Sequence, residues 1–95
     1  MKKTLVIIPT YNEAENIIKI IPEVLKNTEA GNEFNILVVD DNSPDGTATL
    51  VEELGDPNVN ILKRERKLGL GTAYVAGFHY AIKNNYDYVF EMDAD

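Results

Sequence analysis

Two short stretches of this chain, Leu5-Val6-Ile7-Ile8 and Ile36-Leu37-Val38-Val39, are apolar at every position and rich in β-branched side chains. A strand with one face in water alternates apolar and polar residues. A run without alternation is a strand covered on both faces, the habit of parallel sheets sandwiched between helices. Each run closes in turn chemistry: Pro9-Thr10-Tyr11-Asn12 after the first, Asp40-Asp41-Asn42-Ser43-Pro44-Asp45-Gly46 after the second. The spacing between the runs must therefore hold a helix that returns the chain to the same edge of the sheet.

The intervening residues fit. Ile17, Ile18, Ile21, Val24 and Leu25 form one apolar stripe at helical spacing. Asn12, with Glu15 three residues on, resembles a capping box at the entry. Pro22 deprives the Ile18 carbonyl of its donor, so a kink or a restart is expected there. Asn27 to Glu33, with Gly31, reads as a loop, and the second strand runs from Phe34 to Val39. A helix from about Thr47 to Leu54 follows, burying Leu50, Val51 and Leu54, with Ser43 or Asp45 as its cap and Gly55 as its stop. Val59 to Leu62 is a third strand. Gly69-Leu70-Gly71-Thr72 leads into a helix to about Asn84, whose Ala73, Ala76, Gly77 and Ala81 let it lie close on a sheet. A fourth strand begins near Tyr86 or Tyr88 and, buried through Met92, delivers Asp93 and Asp95 to one side of its end.

The order β-α-β-α-β-α-β with short connections predicts an α/β fold: a three-layer, Rossmann-like parallel sheet of strand order 3-2-1-4, reversing between strands 1 and 4. Residues 1–95 make one small domain at most. A net charge of −7 speaks against nucleic acid or an anionic membrane as partner, and the absence of cysteine removes disulfides and thiolate metal sites. No apolar run approaches a membrane span. The first run is too short for a signal peptide, and Tyr11-Asn12-Glu13 stands where a cleavage region would be. The expected location is the cytoplasm, or the cytoplasmic face of a membrane by association.

In such sheets ligands bind outside the carboxyl ends of the strands. That rim would gather Pro9, Thr10, Tyr11 and Glu13 from strand 1, Asp40 and Asp41 from strand 2, Lys63-Arg64-Glu65-Arg66-Lys67 after strand 3, and Asp93 and Asp95 after strand 4. Tyr11 either stacks on a base or packs over its own turn. Of Asp40 and Asp41, one turns inward and the other reaches solvent. A carboxylate there accepts from the paired donors of guanine or the single imide N–H of uracil, while adenine offers no matching pair. The alternative role is helix capping. The basic cluster either holds a diphosphate or is a solvated loop. Gly69-x-Gly71 before a helix resembles a phosphate-binding turn, although Tyr74 stands where the dinucleotide fingerprint needs glycine. His79, alone in mid-helix, reads as a packed or surface residue. Asp-Ala-Asp at the end suits a hard divalent cation that keeps several waters and binds substrate phosphates.

Four motifs in order, Val6-Ile7-Ile8-Pro9-Thr10-Tyr11-Asn12-Glu13, Val38-Val39-Asp40-Asp41-Asn42-Ser43-Pro44-Asp45-Gly46-Thr47, Gly69-Leu70-Gly71-Thr72-Ala73 and Asp93-Ala94-Asp95, resemble glycosyltransferase family 2, and within it the dolichyl-phosphate (polyprenyl-phosphate) mannosyltransferases. The resemblance implies the GT-A fold and inverting transfer of mannose or a related hexose from GDP-sugar (or UDP-sugar) to a lipid-phosphate acceptor. Carried onto this chain, it implies that Pro9, Tyr11, Glu13 and Asp41 line the nucleoside pocket and that Asp93 faces the ribose, the diphosphate or the metal. Asp93 and Asp95 would hold Mg2+ or Mn2+, with Lys67, Gly69 and Gly71 near the diphosphate. The family continues well beyond its Asp-Ala-Asp motif, so this chain resembles the nucleotide-binding half of such an enzyme, a truncated GT-A domain without its acceptor site. Turnover by the chain alone is not expected, and an exposed fourth strand is expected to pair two copies into a homodimer. The competing expectations are a dimerising half-domain that binds no nucleotide, and a receiver domain, which places its paired acidic residues after strand 1, where this chain has Pro9-Thr10-Tyr11.

Overall fold

The structure, a computed structural model, describes residues 2–26 and 32–94. It contains β1 (Lys3–Thr10), α1 (Ala14–Leu25), β2 (Glu33–Asp40), α2 (Thr47–Leu54), β3 (Val59–Lys63), α3 (Leu70–Lys83) and β4 (Tyr88–Glu91). The strands form one parallel sheet of order β3-β2-β1-β4. The expected α/β architecture and strand order are therefore present. Most of the expected loop between α1 and β2, with its Gly31, lies outside the described residues.

The two unalternated runs are covered on both faces. Val6, Ile8, Ile36 and Val38 point to one side, where Ile17, Ile21 and Val24 of α1 and Val51 of α2 close over them. Leu5, Ile7, Leu37 and Val39 point to the other, beneath Ala73 and Ala81 of α3. These central β1 and β2 side chains are at most 3% exposed. Such burial stabilises by roughly 1.5–3 kcal/mol for each large aliphatic side chain. α3 carries small residues where it meets the sheet because it lies very close. A Cβ built on Gly77 would fall 2.6 Å from Ile7 Cδ1 and 2.7 Å from Ile7 Cγ2.

Three local expectations are corrected. Of the two alternatives at Pro22 the restart does not occur: α1 runs unbroken through it, and Pro22 is exposed, where water can serve the freed Ile18 carbonyl. The Asn12 capping box does not form. Asn12 is left-handed (φ 56) and Glu13 holds the cap position without a side-chain bond. The α1 entrance is instead served from the loop after β2: Ser43 Oγ accepts from Asn12 N–H, Thr47 Oγ1 from Glu13 N–H and Asp45 Oδ2 from Ala14 N–H. Gly46 holds the cap position of α2, and Asp45 Oδ1, one residue earlier, takes the Thr47 N–H, so that end is served by Asp45 and not by Ser43. Third, β4 is not a buried strand. Among the described residues it pairs with β1 alone, and Tyr88 and Phe90 on one of its faces, with Met92 just beyond it, are 39–58% exposed.

Candidate functional site

β1, β2 and β3 succeed one another in one direction across the sheet, and the chain then returns to place β4 on the far side of β1. The reversal leaves a crevice beyond the carboxyl ends of β1 and β4. A cleft of about 310 Å³ opens there, lined by Pro9, Thr10, Tyr11 and Glu13 after β1, Asp41 after β2, Lys67, Gly69, Leu70 and Ala73 around the start of α3, and Asp93 and Ala94 after β4. Pro9, Tyr11, Glu13, Asp41, Lys67, Gly69 and Asp93 thus face one space. Gly71 is exposed in the first turn of α3 and does not line it. Asp95 lies outside the described residues.

The rim is tied together by Asp40. Its carboxylate accepts from Thr10 Oγ1 (2.7 Å), Ser43 Oγ (2.6 Å) and Ser43 N–H (3.0 Å), so the ends of β1 and β2 and the next turn share one acceptor. Neither aspartate reaches solvent as expected: Asp40 is 2% and Asp41 5% exposed. The reason is Arg64. Strand pairing sets Lys63 opposite Asp40, which brings Arg64 beside Asp41. Arg64 Nε donates to Asp41 Oδ1 at 2.6 Å and Nη2 to Oδ2 at 2.8 Å, a bidentate pair, and Leu68 N–H adds a bond to Oδ2 at 3.2 Å. Arg64 Nη1 also reaches Thr72 Oγ1 at 3.0 Å, tying the β2 end to the first turn of α3.

The basic cluster therefore divides. Arg64 is a structural clamp, Lys63 pairs with Glu52 at the surface (2.7 Å), and Arg66 is exposed. Lys67 turns to the cleft, its Nζ 4.8 Å from the centroid of the Tyr11 ring. An ammonium over a phenol face is attracted by the ring quadrupole, and here it sets a cation beside an aromatic platform in the same cleft. His79 is on the surface.

Asp93 is exposed beyond the end of β4, and Tyr74 Oη of α3 donates to its Oδ1 at 3.1 Å. Burial, and then the bond to Asp93 and the Asp93 and Glu91 charges, push the Tyr74 phenol up to about 12. Asp93 Oδ2 has no partner among the described residues. No cluster of at least three His, Cys, Asp or Glu side chains suited to a metal occurs among the described residues. A free, hard carboxylate oxygen at a cleft mouth fits a Mg2+- or Mn2+-like ion that takes most of its ligands from diphosphate and water.

The clamp made by Arg64 and the Tyr74 bond to Asp93 were not among the expectations. Arg64 was recoverable, since strand order 3-2-1-4 sets the ends of β2 and β3 side by side, acidic against basic. Tyr74 depends on the rotation of α3 over the sheet, for which the sequence carries no separate signal.

Residues 5–95 match the family model for Glycosyl transferase family 2. The chain is 50% identical over 97 residues to a polyprenol monophosphomannose synthase of Mycolicibacterium smegmatis, covering 99% of this chain and 36% of that protein. It is 46% identical to an undecaprenyl-phosphate mannosyltransferase of Micrococcus luteus, covering 98% of this chain and 38% of that protein. The chain thus spans little more than a third of these relatives. Among solved structures it is similar to the mannosyltransferase PcManGT of Pyrobaculum calidifontis in complex with GDP-Man and Mn2+ (TM-score 0.73, 25% identity, 82% of this chain and 24% of that one). It is also similar to S. aureus TarS 1-349 in complex with UDP-GlcNAc (TM-score 0.79, 28% identity, 100% of this chain and 27% of that one).

Proposed function

Because the chain belongs to Glycosyl transferase family 2, a family of glycosyltransferases, we propose that it is the donor-binding part of an inverting enzyme moving mannose or a related hexose from GDP-sugar, or UDP-sugar, to a polyprenyl or dolichyl phosphate. The observation that carries this reading is the convergence of Tyr11, Asp41, Lys67 and Asp93 on one cleft at the sheet reversal. Its size falls in the usual small-molecule range of about 300–1,000 Å³.

The residue roles follow from chemistry. Tyr11 offers the base a flat apolar face. Pro9 and Glu13 close the nucleoside side, and Asp41, fixed by Arg64, accepts a base N–H. Lys67 and the backbone at Gly69 face the diphosphate. Asp93, with Asp95, would hold Mg2+ or Mn2+, an ion that would supply positive charge to the departing nucleoside diphosphate. The acceptor phosphate is largely ionised at neutral pH and attacks the anomeric carbon without a strong general base.

Among the described residues no helix is long and apolar enough to cross a membrane; the proposed lipid-phosphate acceptor is what places the chain at a membrane face. The free β4 edge, with Tyr88 and Phe90 exposed, supports pairing of two copies. A monomeric mass by light scattering at high micromolar concentration contradicts that pairing. The donor-site reading is tested by calorimetry with GDP and UDP, with and without Mn2+. Heat of binding, larger with Mn2+, is expected. No heat with either nucleotide from a folded chain leaves instead a half-domain that dimerises without nucleotide.

A further inference from the structure

Tyr74 does not line the cleft, yet it holds one of the cleft's walls. Its ring is half-buried against the cluster formed by Leu5, Ile7, Leu37 and Val39, so packing fixes where the hydroxyl points. Asp93 is far less constrained. It lies two residues beyond the end of β4, the Met92 N–H bond to the Ile7 carbonyl (3.0 Å) is the last ladder contact before it, and its side chain is exposed. Among the described residues Tyr74 is the only side-chain partner of Asp93. An exposed aspartate on irregular backbone samples several rotamers; a bond from a rigid phenol selects one and commits Oδ1, leaving Oδ2 available to the cleft.

We infer that Tyr74 is the positioning residue of the cation subsite, holding Asp93 by Oδ1 so that Oδ2 meets the cation carried by a nucleoside diphosphate. This rests on the donor-site reading above and adds to it a residue outside every motif that suggested that reading. Ligating carboxylates are themselves hydrogen-bonded, and the outer partner sets their orientation. A phenol suits this place because it donates without adding charge and keeps its hydrogen at neutral pH.

The test uses the whole chain and three variants: Tyr74→Phe, which keeps the ring in its apolar bed, Asp93→Ala, and the two combined. Free Mn2+ is counted by electron paramagnetic resonance with GDP present, and GDP affinity without metal is measured by calorimetry. Tyr74→Phe is expected to leave metal-free GDP affinity within about twofold while weakening Mn2+ binding about tenfold, the usual scale for losing an outer partner. Asp93→Ala is expected to remove the metal-dependent gain, and the combined variant to be no weaker than Asp93→Ala alone. Unchanged Mn2+ affinity in Tyr74→Phe, or an equal loss with and without metal, makes Tyr74 a mere staple between α3 and β4 and overturns the inference. A combined variant weaker than Asp93→Ala overturns it too, because Tyr74 would then act independently of Asp93. If the wild-type chain binds GDP but no Mn2+, the positioning role falls while the nucleotide cleft stands. If it binds neither, the donor-site reading fails and takes the inference with it.

Discussion

Asp41 spends most of its acceptor capacity within the protein. An ionised carboxylate offers about four lone-pair sites, and Arg64 Nε, Arg64 Nη2 and Leu68 N–H occupy one on Oδ1 and two on Oδ2. The remaining site, on Oδ1, can accept a single base N–H with the clamp intact, whereas the paired donors of guanine require Arg64 or Leu68 to give way. Arg64→Ala leaves a nearly buried carboxylate unpaired and is expected to destabilise the chain by about 3 kcal/mol, read as a lower urea midpoint; no change in midpoint means the pair contributes nothing to folding. Asp45 has a smaller and pH-dependent role. Its slight burial alone would raise its pKa, but the Thr47 hydroxyl and the Ala14 and Thr47 N–H groups together hold the carboxyl below its usual value of 3.8. A depressed carboxyl adds stability above its unfolded pKa, and that stability is lost as pH falls through the folded value. Asp45→Ala is therefore expected to cost about 1 kcal/mol at neutral pH, as lost caps do, with the gap to wild type closing below about pH 4. A gap independent of pH contradicts the capping role. Tyr11, Glu13, Asp41 and Asp93 were legible as rim residues because a strand's end fixes where its next residues go. The solvent-facing role expected for one of the paired aspartates was not, since it depended on Arg64, 23 positions along the chain but beside Asp41 where β2 and β3 pair.

Elements were easier to read where burial dictates composition. The β1 and β2 runs, the stop at left-handed Gly55 (φ 62) and the small residues of α3 all announced themselves. Capping of α1 was misread because the donors at its entrance are satisfied from the loop after β2, a tertiary arrangement that a local motif cannot report. The Gly77 position gives a direct test of the close α3 contact. At an open helix site Gly→Ala gains about 1 kcal/mol. Here the added methyl meets β-branched, fully buried Ile7, and overpacking of this kind costs about 1–3 kcal/mol. Gly77→Ala is expected to lower stability by about 1 kcal/mol net, with part recovered in Gly77→Ala/Ile7→Val. A stabilised Gly77→Ala contradicts the close approach. α3 also carries Val75, Phe78 and Ile82 on the side away from the sheet, with Ile82 75% exposed. No periodicity argument anticipated an apolar outer face on a helix whose inner face is already satisfied.

At the scale of the molecule, an acidic chain gathers its cleft-facing Lys67 and its acceptor residues along one rim, and the strand order alone accounts for the gathering. Reading the order 3-2-1-4 from the alternation of strands and helices therefore brought these rim residues together, while Gly71, in the first turn of α3, lies outside the cleft lining. The most direct test is an amide NMR titration of the whole chain with GDP and Mg2+, repeated with trace Mn2+. Shifts confined to residues 9–13, 41, 67–73 and 93–94, with Mn2+ broadening centred on Asp93, are predicted, while the surface around Val51 to Lys63 stays unmoved. Shifts that instead centre on the α2–β3 surface, or no shifts at millimolar nucleotide, contradict the account.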